Sequence, residues 1–143
     1  MKTIKYLSLL SFPIFFLFLT SFVDIEDIED CEDEDFLDEC AEVIDGYKFL
    51  KANLITIDDE SKIEYKSVFS KGSTYMLTAC NIGEGALKVT LYDRNKKRVM
   101  SNFIRSKYYP SVTYPCTATG VYYLKYEFTA GNGCGVGIIG FKK

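Results

Sequence analysis

The chain has 143 residues, with 11 Tyr, 11 Phe, 3 Pro and neither His nor Trp. That length suits one domain. Without His, neither a Ser-His-Asp nor a Cys-His centre can be assembled from this chain alone. The formal charge of −3 conceals a split: 13 acidic and no basic residues lie between positions 24 and 45, whereas 46–143 carries 15 basic against 7 acidic residues, a net of +8. An acidic arm thus precedes a basic body. The arm reads either as a solvated tail or as a segment that folds back over the basic face and screens it.

Lys2 and Lys5 precede an apolar run from Tyr6 to Leu19, followed by Thr20-Ser21. Charged, then apolar, then small is the order of a secretory signal peptide, which sets residues 1–21 apart from the mature chain. The run with its flanks reaches about 18 residues, so an uncleaved membrane anchor is the alternative. Export predicts disulfides among Cys31, Cys40, Cys80, Cys116 and Cys134. Five is odd. Cys31, inside the acidic tract, is expected to be the unpaired thiol, with Cys40, Cys80, Cys116 and Cys134 forming an even set open to three pairings. No CxxC spacing supports a zinc site.

Residues 22–45 form the arm. Phe36, Leu37, Cys40, Val43 and Ile44 recur at helical spacing, which predicts a short amphipathic helix over 35–44. On one continuous helix Cys31 and Cys40 would lie roughly 13 Å apart along the axis. A disulfide needs Cα atoms within about 7 Å, so that bond and an unbroken helix exclude each other. The tract lacks the sixth-position Gly and the alternating ligands of a calcium-binding EF-hand loop.

Residues 46–143 form the body, and their pattern changes to period two. The predicted strands are 47–57, 63–69, 75–80, 87–92, 99–104, 112–114, 121–129 and 134–141, with a charged hairpin turn over Asp93–Arg98. The run after Gly120 is the strongest: Tyr122, Leu124, Tyr126 and Phe128 share one face, Tyr123, Lys125 and Glu127 the other. About eight short strands with frequent turn signals predict an all-β, antiparallel β-sandwich of jelly-roll type, after a short N-terminal helix. Gly135, Gly137 and Gly140 in the last strand mark close backbone approach or bulges.

Two resemblances rest on these residues. The order Gly72-Ser73-Thr74-Tyr75-Met76-Leu77, then Leu87-Lys88-Val89-Thr90-Leu91-Tyr92-Asp93, then Thr119-Gly120-Val121-Tyr122-Tyr123-Leu124 resembles the bacterial pre-peptidase C-terminal (PPC) domain. The resemblance covers about the last 75 residues and implies a non-catalytic, jelly-roll-like appendage of secreted enzymes. No catalytic domain precedes the sandwich in this sequence, so an accessory role would act in trans. The fuller run, from Phe69-Ser70-Lys71-Gly72 to Gly140-Phe141-Lys142-Lys143, resembles a group of small secreted bacterial proteins that carry no assigned activity.

Three classes of function follow. An enzyme would draw on Asp58-Asp59-Glu60, Glu84, Asp93 or Glu127 as an acid–base pair, but nothing in their order selects one. They read as solvated loop and strand charges, so no catalysis and no cofactor or metal are expected. A binding module would use exposed aromatics, with Tyr108, Tyr109 and Tyr123 as the candidate face and Tyr92 and Tyr114 as further possibilities. Its ligand would be a protein or a polysaccharide, for instance as a carbohydrate-binding accessory to secreted enzymes. The basic turn Arg94, Lys96, Lys97 and Arg98, with Arg105 and Lys107, could meet an anionic polymer or surface. A structural protein would assemble through an edge strand or the odd thiol. The expectation is a non-catalytic protein, secreted or at the cell envelope, that binds a partner. Nucleic acid is not expected as a ligand, and membrane attachment is expected only if the signal segment stays uncleaved.

Overall fold

Side chains of the strand built on 120–128 alternate between core and surface, with Tyr122, Leu124, Tyr126 and Phe128 buried and the residues between them not. The computed structural model describes residues 34–58 and 62–143. The signal-peptide expectation, the first part of the acidic arm and Cys31 lie outside the described residues. In chain order the elements are α1 (Glu34–Glu42), β1 (Lys48–Ile57), β2 (Ile63–Phe69), β3 (Thr74–Thr78), β4 (Cys80–Ile82) and β5 (Leu87–Tyr92). There follow β6 (Arg98–Ser101), β7 (Phe103–Ile104), β8 (Lys107–Tyr108), β9 (Ser111–Pro115), β10 (Gly120–Phe128) and β11 (Gly133–Lys142).

One sheet runs β1-β11-β3-β9, with β4 also on β11, and the second runs β2-β10-β5-β6. Every pairing is antiparallel. Setting aside β4 and the two-residue pieces β7 and β8, successive strands change sheet at nearly every step, and each sheet interleaves early and late strands. That is the double Greek key of a jelly roll. The shared interior is filled by Ile55, Phe69, Leu77, Leu91, Leu124 and Ile139, with further buried residues from the same strands. Phe69 stacks on Tyr75 at 3.8 Å between ring centres and on Tyr122 at 5.0 Å.

Eleven strands stand among the described residues where about eight were expected, because two predicted runs are interrupted and β8 was not predicted. The run 75–80 breaks at Ala79, whose amide turns away to the carbonyl of Pro110. The run 99–104 breaks at Asn102, which is buried and spends its side chain on three backbone groups: it accepts from the Val89 amide and donates to the carbonyls of Leu87 and Tyr109. The β7–β8 hairpin turns on Arg105 and Ser106, both at positive φ (50° and 63°).

The helix begins one residue earlier than the spacing suggests and ends two residues earlier, at Glu42. Cys40 and Ile44 pack on Val136 and Ile138, on the outer face of the five-stranded sheet. Two glycines of β11 serve opposite sides of that strand. A Cβ at Gly137 would collide with the Tyr126 hydroxyl in the core, and one at Gly140 would press on Tyr47 and Ile44 beside the helix.

The cysteine expectation needs correction. Cys40 bonds to Cys80, with Cα atoms 6.1 Å apart, clamping α1 to β4. Cys134 is also disulfide-bonded. Cys116, counted in the paired set, is instead a free, buried thiol that donates to the Ala118 carbonyl at 3.2 Å. Its neighbours explain why: it packs under Tyr122, in the apolar interior, away from the β4–α1 side where the Cys40–Cys80 bond forms.

Candidate binding cleft at the basic end of the sandwich

Register fixes which loops meet. Gly120 pairs with Phe69, Tyr123 with Tyr92, and Thr74 with both Pro115 and Lys142. The turns 70–73, 93–97 and 116–119 therefore gather at one end of the sandwich, beside the last residues of β11. Within those three turns, Asp93 is the only acidic side chain, against Lys71, Arg94, Lys96 and Lys97. Arg98, Lys142 and Lys143 add to the same end.

Between the β5–β6 turn and the loop before β10 lies a cleft of about 480 Å³, within the range of small-ligand clefts. Arg94, Lys97 and Arg98 line one side, and Thr117, Thr119 and Val121 the other, with Tyr114 and Tyr122 also in the lining. The cationic wall is held by its own turn. The Asp93 carboxylate accepts from the amides of Asn95 (2.8 Å) and Lys97 (3.0 Å), the Lys96 amide donates to the Asp93 carbonyl, and Lys96 takes a positive φ of 61°. This is the turn-plus-bulge geometry of a short hairpin loop. The opposite wall is tied to the neighbouring turn. Lys71 donates its amide to the Thr119 hydroxyl at 2.9 Å, the Gly72 amide donates to the Cys116 carbonyl, and the Cys116 amide donates to the Ser73 carbonyl. Below, the Tyr122 hydroxyl donates to the Ala118 carbonyl at 2.7 Å and lies 3.2 Å from that of Tyr114. Burial, and then hydrogen bonding from Tyr114 and Cys116, holds the Tyr122 phenol far above the ordinary tyrosine range.

Ion pairing among the described residues is confined to three lysines. On the outer face of the four-stranded sheet, Glu127 lies 3.0 Å from Lys62 and 3.7 Å from Lys88, and Glu64 lies 2.6 Å from Lys96. Arg94, Lys97 and Arg98 have no carboxylate partner among the described residues.

The three tyrosines singled out from sequence are not brought together. Tyr123 is on the outer face of β10, with the Lys96 ammonium 3.4 Å above its ring and that of Lys66 at 5.7 Å. Lysines, not open solvent, thus cover this ring. Tyr108 and Tyr109 belong to the β7–β8 hairpin, where Tyr108 packs on Phe103 at 4.5 Å and Lys107 lies 5.1 Å from the Tyr109 ring. No ring contact joins either of them to Tyr123. The candidate carboxylates are likewise dispersed: Asp93 secures the turn, Glu127 is paired with lysines, and Glu84 occupies the far loop. Sequence reading found the cationic turn but missed Thr117, Thr119 and Val121, which show up there only as a turn signal before a strand.

No protein-family model matches the chain, and no curated protein matches it. Among solved structures, the chain is similar to a crystal structure of Aeromonas hydrophila PliG, a periplasmic lysozyme inhibitor of g-type lysozyme. The TM-score is 0.49 at 12% identity, covering 68% of this chain and 89% of that one.

Proposed function

We propose that the protein is a non-catalytic, extracytoplasmic binding protein that takes a negatively charged partner at the cleft between residues 93–98 and 117–121. One observation carries the reading: three cations converge on a braced concave wall, and none of them forms an ion pair with a carboxylate among the described residues. Guanidinium groups present forked donors suited to carboxylate or sulfate oxygens. The Thr117 and Thr119 hydroxyls opposite supply further polar contacts. The Cys40–Cys80 bond is the chemistry of an oxidising compartment, which supports a location outside the cytosol.

Binding to heparin and to polygalacturonate, measured across a salt series, tests this. Arg94→Gln/Lys97→Gln/Arg98→Gln should weaken binding at least about tenfold. Arg105→Gln/Lys107→Gln/Lys125→Gln removes the same formal charge elsewhere and should change it little. Equal losses from the two triple variants would reduce the cleft to a share of the overall positive field.

A further inference from the structure

The basic cleft is not isolated. Val121, on its rim, pairs across the sheet with Val68. Val68 in turn lines a second groove, together with Leu50, Lys71, Tyr75, Phe141 and Lys143. Val68 is 64% exposed, Leu50 41% and Val121 38%. A strip of three aliphatic side chains therefore runs from the β1 bulge over the edge strand β2 to its inner neighbour β10. Arg94, Lys97 and Arg98 flank one end of it and Lys71 and Lys143 the other. Phe49, Leu54 and Ile104 are also exposed, but outside this groove, whereas Leu50 and Val68 share it and Val68 meets Val121 across the strand pair; contiguous apolar exposure is what marks an interaction surface.

From this strip and its cationic flanks, we propose that the basic end docks onto the surface of a bilayer containing anionic lipid. The inference deepens the reading of the cleft as an anion site, and rests on it for the charge half of the contact. A bilayer interface accepts aliphatic side chains at the boundary of headgroups and acyl chains while drawing lysine and arginine to its phosphates. Lys71 and Lys143 lie in the same groove as Leu50 and Val68, so one surface meets both demands. An acidic protein would satisfy the cations but leave the aliphatic strip without a counterpart. A second copy of this chain would satisfy the strip but set like charges against each other. This contact is separate from any insertion of the N-terminal apolar run.

The chain has no tryptophan, so a single Trp reports its own position. The full chain carrying Val68→Trp, mixed with vesicles of phosphatidylglycerol and phosphatidylcholine, should show blue-shifted emission and strong quenching by brominated acyl chains. Full chain carrying Glu84→Trp, at the opposite end of the sandwich, should show neither. Adding Arg94→Gln and Arg98→Gln to the Val68→Trp protein should lower its vesicle affinity about fivefold per charge, and pure phosphatidylcholine should leave its emission unshifted. Equal quenching at both positions, or emission at position 68 that ignores the vesicles, would overturn docking. So would a blue shift that follows protein concentration without lipid, which is self-association. If heparin binding at the cleft persists while position 68 stays in water, the lipid inference fails and the anion site stands. If heparin binding is lost as well, both fail.

Discussion

Asn102 shows what one buried amide can do. Its side chain satisfies the Val89 amide and the carbonyls of Leu87 and Tyr109, while its own backbone joins Val89 and Tyr109. It thereby fastens the β7–β8 hairpin to β5. Asn102→Ala would orphan three buried polar groups, and the expected loss is about 3 kcal/mol by urea denaturation. A loss below about 1 kcal/mol would mean that water reaches those groups. Three phenols bear on alkaline stability. Burial raises the pKa of Tyr65, Tyr122 and Tyr126 above the ordinary value of 10.0. Below that value both folded and unfolded chains keep these protons, and the full contribution to stability is present. Above it the unfolded chain gives them up while the fold retains them, so stability falls as pH rises. Spectrophotometric titration should show these phenols ionising only on unfolding. Three phenols titrating reversibly in the native state near pH 10 would contradict their burial.

At the scale of elements, α1 covers Val136 and Ile138 and is clamped through Cys40 to β4. The bond spans 40 residues of chain, so Cys40→Ala/Cys80→Ala should cost about 4 kcal/mol through the freedom returned to the unfolded state. Equilibrium denaturation of the double variant measures it, and an unchanged midpoint would assign the helix to apolar packing alone. Elements were legible where one periodicity ran uninterrupted. The alternation from Tyr122 to Phe128 named the inward face of β10, and Phe36, Leu37, Cys40 and Ile44 named the apolar side of α1. The β7–β8 hairpin was not legible, because its positive-φ turn uses Arg105-Ser106 in place of the Asn-Gly or Asp-Gly that such turns favour. The cleft was half legible. Its cations fall within one turn of the sequence, but Thr117, Thr119 and Val121 join them only through strand register. The free thiol could not be read from sequence at all, since pairing depends on which cysteines the two sheets bring within reach.

For the whole molecule, the net positive charge of the body is unevenly placed. The turns at one end carry Lys71, Arg94, Lys97 and the Glu64-paired Lys96 with Asp93 as their one acidic residue, while Lys62 and Lys88 elsewhere pair with Glu127. We expect the acidic arm to compete for that cationic end. Deleting residues 24–35 should then increase retention on heparin at low salt, and unchanged retention would refute the idea.

The placing of β11 has a consequence for biosynthesis. This strand, the ten residues Gly133–Lys142, is the shared partner of β1, β3 and β4. Ribosomes make it after all three. Until it emerges, three earlier strands lack the neighbour that would align them, so a nascent chain cannot complete this sheet prematurely. A stop codon ahead of Gly133 would remove the centre of the layer rather than fray its border.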